Sequence, residues 1–77
     1  MNISEQIQVQ ADESTKALRE QGWEGGGHSY DIGTYHGDAD ALAERLGRPT
    51  TRDERVSLEH QIRTRLDAAM TDHTPAA

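Results

Sequence analysis

Six of the seven glycines of this chain lie between residues 22 and 37. Three of them are consecutive at residues 25–27, and each glycine in a helix interior costs about 1 kcal/mol relative to alanine. A continuous helix through this segment is therefore excluded, and the chain must fold as helical parts on either side of an irregular one. The same segment contains the only tryptophan and both tyrosines of the chain, Trp23, Tyr30 and Tyr35.

Helical periodicity is present before and after the glycine segment. In the first part, one face is formed by Ile3, Ile7, Ala11, Ser14 and Leu18. We predict a helix over residues 3–21, because Gly22 provides the left-handed position that commonly ends a helix. A second helix is predicted over residues 39–46, with Asp38 as its N-cap and Gly47 at its end. Its apolar face consists of Ala39, Leu42, Ala43 and Leu46.

A third helix is predicted over residues 51–71. Thr51 and Glu54 have the spacing of a capping box, in which each side chain accepts a backbone N–H of the other residue. The helix then has a narrow apolar row, edged by charges of alternating sign, formed by Leu58, Ile62, Leu66 and Met70. Such a row is typical of an antiparallel pair or a helical dimer, and we expect a homo-oligomer. Residues 72–77 are predicted to be a disordered tail.

The glycine segment allows two structures. Tyr30, Ile32 and Thr34 alternate with Ser29, Asp31 and Gly33, which is the period of a short strand. Residues 28–36 are therefore either a minimal β-hairpin or an irregular loop rich in glycine and tyrosine. The fold class predicted is mainly α, with α+β left open, in a single small domain over residues 1–77.

The scarcity of large aliphatic residues limits the chemistry available. Only eleven residues are Leu, Ile or Val, too few to wall a catalytic pocket, and we expect no enzymatic activity and no cofactor. The spacing of His28, Asp31, His36 and Asp38 matches no standard metal site, and no metal is expected. The absence of cysteine fits a reducing cytosol. The start of the chain has no signal peptide pattern, and no apolar run indicates a membrane span.

The charge is unevenly distributed. The formal net charge is −6, and residues 20–44 contain six acids with no Lys or Arg. Aromatic residues within an unbalanced acidic segment indicate a surface that binds a basic protein. The predicted partner-binding residues are Glu20, Trp23, Glu24, Tyr30, Asp31, Tyr35, Asp38, Asp40 and Glu44. In the alternative interpretation, the aromatic residues complete the core and the carboxylates form an ordinary solvated face.

Two other functions remain open. Residues 39–63 have the outline of a helix-turn-helix, in which Arg48, Arg52 and Arg55 would contact phosphates. Against this, Arg48 takes a position where such motifs bury an aliphatic residue, and neighbouring acids offset most of the arginines. Direct nucleic-acid binding is disfavoured because bases are few. The other function is that of an oligomeric scaffold or assembly protein.

The order of features also resembles a known class of proteins. An amphipathic N-terminal helix, a Trp-acid-Gly turn at residues 23–25, a tyrosine-containing stretch and a C-terminal helix resemble some small acidic anti-CRISPR proteins of phages. The likeness covers residues 11–40. It implies a phage or mobile-element inhibitor, in the cytoplasm of a bacterial host, that partly imitates nucleic acid. Residues 48–77 depart from this pattern because their five acids and five bases cancel, so only the first half could act as a mimic.

Overall fold

The computed structural model describes residues 2–72, except for the side chains of residues 36 and 69–72. Its helices are α1 (Ile3–Glu20), α2 (His36–Leu46) and α3 (Arg52–Asp72), with a 3₁₀ turn at Gly27–Ser29. The mainly helical fold is confirmed, and the three helices lie close to their predicted positions. Within residues 2–72 there is no β-strand, and none of these helices is long and apolar enough to cross a membrane.

The end of α1 fixes the position of the tryptophan. Gly22 has a φ of +94°, and its N–H donates to the Arg19 carbonyl at 3.0 Å. The Trp23 N–H donates to the Leu18 carbonyl at 2.9 Å. This pair of hydrogen bonds is a Schellman motif, which satisfies the last carbonyls of a helix and turns the chain sharply. The predicted end at Gly22 is confirmed, and the turn directs Trp23 back onto the core.

Residues 28–36 form turns instead of the strand that alternation had allowed. The Asp31 carbonyl accepts the N–H groups of Thr34 and Tyr35, each at 3.0 Å. The Asp31 carboxylate accepts the Gly33 N–H at 2.9 Å. These donors are satisfied locally, and a strand would have left them without partners because no neighbouring strand is present in the described residues.

The start of α2 differs from the prediction. The helix begins at His36 with Tyr35 as its N-cap, so Asp38 lies inside the first turn and is not the cap. The Asp38 carboxylate instead accepts the hydroxyl of Tyr30 at 2.6 Å. The predicted end of α2 is confirmed, because Gly47 is left-handed with a φ of +72°.

The capping box of α3 is confirmed. The Thr51 N–H donates to Glu54 Oε1 at 2.8 Å, and the Glu54 N–H donates to Thr51 Oγ1 at 3.2 Å. Arg48 adds two hydrogen bonds to the same carboxylate, at 2.9 and 2.6 Å. The loop between α2 and α3 is therefore tied to the first turn of α3.

The core lies between α1 and the other elements. Helix α1 packs against both α2 and α3, and the 3₁₀ turn packs against α3. The buried hydrophobic cluster is Ile7, Ala11, Leu18, Tyr30, Leu42, Leu58, Ile62 and Leu66. Leu58, Ile62 and Leu66 of the α3 row that suggested a dimer are thus buried within one chain. Of the predicted tail, Asp72 belongs to α3, and residues 73–77 lie outside the described residues.

The glycine segment is anchored to α3 through Gly27 and Tyr30. Gly27 lies so close to α3 that a Cβ atom on it would be 2.6 Å from the Arg63 Cα. Its N–H donates to the Asp67 carboxylate at 2.7 Å, and Arg63 Nε donates to the Tyr30 carbonyl at 3.0 Å. These contacts hold Tyr30 in place, and the residues that follow it lead into α2.

Candidate binding site beside Tyr35

The three aromatic side chains form one cluster. The Tyr30 and Tyr35 rings are stacked, with centroids 5.5 Å apart and planes 13° apart. Trp23 meets both tyrosines edge-on, at 5.5 Å from Tyr35 and 6.4 Å from Tyr30. Both arrangements are favoured by the charge distribution of aromatic rings. The aromatic cluster therefore joins the end of α1, the glycine segment and the start of α2.

The members of the cluster differ in exposure, which divides them between the two predicted roles, core and partner-binding surface. Tyr30 is fully buried, and this burial places it in the core and removes it from any surface that a partner could touch. Trp23 is half-buried, and its indole N–H donates to the Gly25 carbonyl at 2.7 Å. Tyr35 is 37% exposed, so it presents aromatic surface to solvent.

Asp38 is held in position by Tyr30. The Tyr30 hydroxyl donates to Asp38 Oδ2 at 2.6 Å, and burial, followed by the hydrogen bond to Asp38, raises the pKa of Tyr30. The carboxylates of Glu59 and Asp31 act in the same direction. Because the phenol stays protonated, it acts as a donor and fixes the half-buried Asp38 carboxylate next to Tyr35.

A groove of about 140 Å³ lies between the C-terminal half of α1 and the start of α2. It is lined by Ser14, Ala17, Leu18, Gln21, Tyr35, Gly37 and Asp38. The small residues on both helices leave the space open, since Ala17 and Gly37 place little or no side chain there. The groove therefore combines apolar surface, the Tyr35 ring and one fixed carboxylate.

The acids of residues 20–44 have no ion-pair partners within residues 2–72. The ion pairs present join Glu13 to Arg45, Glu54 to Arg48, Glu59 to Arg63 and Asp12 to Arg65. All four acids in these pairs lie outside the base-free segment. Within the segment, Glu20, Glu24, Asp31, Asp40 and Glu44 are exposed. Asp40 and Glu44 are one turn apart on the solvent face of α2, which faces away from the buried Leu42.

The three arginines that a helix-turn-helix would use for phosphate contacts differ in their interactions. Arg48 is paired with Glu54, and this hydrogen bond raises the pKa of Arg48. Arg55 Nη1 donates to the Thr50 carbonyl at 2.8 Å, whereas Arg52 is exposed. The main packing of both α2 and α3 is against α1 and not against each other. A helix-turn-helix packs its two helices directly, so this arrangement does not favour it.

A second hollow, of about 190 Å³, lies along α3 and is lined by Val56, Glu59, His60 and Arg63. It is built from one helix, and its acid and arginine already form an ion pair at 2.8 Å. In the described part of the chain, no group of three His, Asp or Glu residues is arranged to hold a metal ion.

Comparison with protein-family models, with curated proteins and with solved structures gave no match. Sequence reasoning missed the groove residues Ala17, Gln21 and Gly37. The sequence contains the small pair Ser14 and Ala17, three residues apart on the same face of α1, but this pair does not show that α2 lies beside it.

Proposed function

We propose that this protein is a small non-enzymatic binding protein that uses the acidic surface of residues 20–44 to occupy a basic protein surface. The observation that supports this most is the placement of the ion pairs. Four of the arginines form ion pairs with acids elsewhere, and the exposed carboxylates of this segment form no ion pair within residues 2–72. An unpaired surface of one sign attracts a partner of the opposite sign and speeds its association.

The natural targets of such a surface are proteins whose basic groove binds nucleic acid. A row of carboxylates can then take the place of phosphates, so the protein acts as an inhibitor and partial nucleic-acid mimic. The resemblance to small phage anti-CRISPR proteins supports this proposal and a role in the cytoplasm of a bacterial host. Homo-oligomerisation stays a prediction, since the burial of Leu58, Ile62 and Leu66 within one chain does not test it.

The proposal is tested by titrating the protein with hexa-lysine at low salt. The α2 double variant, Asp40→Asn with Glu44→Gln, should bind roughly threefold to tenfold more weakly, because each exposed ion pair contributes about 0.2–1 kcal/mol. The control double variant, Glu5→Gln with Asp53→Asn, removes the same charge from exposed acids outside the segment. It should bind as the unchanged protein does.

Three outcomes would contradict the proposal. Absence of hexa-lysine binding would show that the surface does not attract bases. Equal weakening by both double variants would show that only net charge matters. Binding of duplex DNA at low salt would favour the helix-turn-helix function instead. In a second experiment, the protein should displace labelled duplex DNA from its complex with hexa-lysine.

A further inference from the structure

The groove between α1 and α2 differs from the acidic surface around it because it is concave and partly apolar. Its walls contain the Ala17 methyl group, part of Leu18 and the Tyr35 ring. A surface that only attracted charge would need no such hollow. The groove therefore has the form of a receptor for a side chain with an apolar stem.

The polar side chains of the groove provide acceptors suited to a cation. Asp38 uses Oδ2 for the Tyr30 hydroxyl, and no other hydrogen bond to its carboxylate is formed within residues 2–72. Ser14 Oγ accepts the Gln10 amide at 3.0 Å and retains a second lone pair. Gln21 adds an exposed amide oxygen at the rim. An anionic occupant would be repelled by Asp38, and a purely apolar one would desolvate this carboxylate without a compensating hydrogen bond.

We infer that the groove binds a single arginine side chain of the basic partner, and this inference rests on the proposed function. The arginine stem lies against Ala17 and Leu18, and the guanidinium lies against the exposed surface of Tyr35 while donating to Asp38. Arginine is favoured over lysine because its planar guanidinium stacks on aromatic rings and has several fixed donors. A lysine ammonium is compact and strongly hydrated, so it gains less from the ring.

The occupant follows from charge complementarity. Four exposed acids near the groove in sequence, Glu20, Glu24, Asp40 and Glu44, lack ion pairs within the described residues. They attract a basic segment, and the groove then selects one of its side chains. The acidic surface supplies affinity for any cationic partner, whereas the groove supplies preference for arginine.

The test compares hexa-arginine with hexa-lysine, which have equal length and charge. Trp23 is the only tryptophan, and its ring lies 5.5 Å from that of Tyr35, so its fluorescence responds to changes around Tyr35 at the wall of the groove. The unchanged protein should bind hexa-arginine about fivefold more tightly than hexa-lysine at the same salt concentration.

Two variants separate the groove from the surface charge. Ala17→Leu fills the groove at an exposed helical position, and Tyr35→Leu removes the aromatic ring. Each should bind both peptides with the affinity that the unchanged protein has for hexa-lysine. The α2 double variant keeps the groove, so it should bind both peptides more weakly and keep the fivefold ratio between the two affinities. Circular dichroism confirms that each variant is folded.

The outcomes distinguish the two proposals. If the unchanged protein binds both peptides equally, the arginine site is overturned and the acidic binding surface stands. If Ala17→Leu and Tyr35→Leu both retain the fivefold ratio, the preference arises elsewhere and the site is also overturned. If neither peptide binds, both proposals fail.

Discussion

Tyr30 and Tyr35 stack on each other but have different surroundings. Tyr30 is buried in the core, and its hydroxyl donates a hydrogen bond to Asp38. Tyr35 precedes α2, stacks on the Tyr30 ring and lines the groove. The aromatic residues therefore serve the core and the surface at once. Tyr30 supplies volume that eleven aliphatic residues cannot, and Tyr35 uses that support to present a fixed ring.

The most demanding single position is Gly27. In Gly27→Ala, the added methyl group would lie 2.6 Å from the Arg63 Cα and 2.7 Å from its carbonyl carbon. Helix backbone cannot move aside as a flexible side chain can, so we expect a loss of about 2 kcal/mol or more in the free energy of unfolding. Urea denaturation followed by circular dichroism measures this loss.

Gly37 provides the matched control for this substitution. It lies in α2, and a Cβ on it would meet nothing within 4 Å. Gly37→Ala should leave the free energy of unfolding unchanged or raise it by up to about 1 kcal/mol. Equal stability of the Gly27→Ala and unchanged proteins would mean that the 3₁₀ turn does not pack on α3.

The limits of sequence reasoning are clear at these residues. Gly22, Gly47 and the Thr51 and Glu54 pair were predictable, because a left-handed glycine and a capping box depend on neighbours a few residues away. The role of Gly27 depends on Arg63, and that contact exists only after the chain has folded. The same holds for Gln10, whose buried amide oxygen accepts Arg45 Nε at 2.8 Å.

At the scale of elements, helix faces were predictable and loop structure was not. The spacing of apolar residues predicted the α1 face except for Ile3, which is exposed, and it predicted the α3 face, in which Leu58, Ile62 and Leu66 are fully buried. The glycine segment has a strand-like alternation in sequence, but local hydrogen bonds to Asp31 stabilise turns there instead. The groove could not be predicted, because it requires the side of α1 that contains Ala17 to face the start of α2.

The capping box makes the stability of α3 depend on pH. The hydrogen bond from Arg48, followed by that from the Thr51 backbone, lowers the pKa of Glu54 from its ordinary 4.5 to about 2. Because the folded state favours the charged form, this carboxylate stabilises the protein above about pH 4.5, and the contribution is lost as the pH falls towards 2. The stability difference between the unchanged protein and Glu54→Gln should therefore be largest near neutral pH and shrink in acid.

Thr51→Ala is the control for this pH dependence. The Thr51 hydroxyl accepts the Glu54 N–H, and neither group titrates in this range. Its removal should cost about 1 kcal/mol, with a much weaker pH dependence than that of Glu54→Gln, because the Thr51 side chain is the smallest of the causes that lower the pKa of Glu54. Chemical denaturation of the three proteins between about pH 2 and pH 7 measures both effects. A constant difference for Glu54→Gln across that range would show that Glu54 retains its ordinary pKa.

At the scale of the whole molecule, the uneven charge distribution favours binding of a basic partner and lowers the stability of the free protein. Residues 20–44 carry six acids and no Lys or Arg, and the other residues carry eight acids and eight bases, so the net charge of −6 belongs to this segment. A fold optimised for stability alone would distribute its arginines among these carboxylates. Concentrating the acids in one place instead causes self-repulsion, which a basic partner relieves on binding.

This uneven charge distribution predicts that salt acts in opposite directions on folding and on binding. Raising NaCl from about 20 mM to about 500 mM screens the repulsion among the unpaired carboxylates, and the exposed ion pairs elsewhere contribute little that salt could remove. We expect the melting temperature to rise by about 2–5 °C while affinity for hexa-lysine falls. Thermal denaturation and peptide titration in the same buffers test both signs. The α2 double variant should show a smaller rise, because two of the repelling charges are absent. A melting temperature that falls with salt would mean that the ion pairs outside the segment outweigh the repulsion within it.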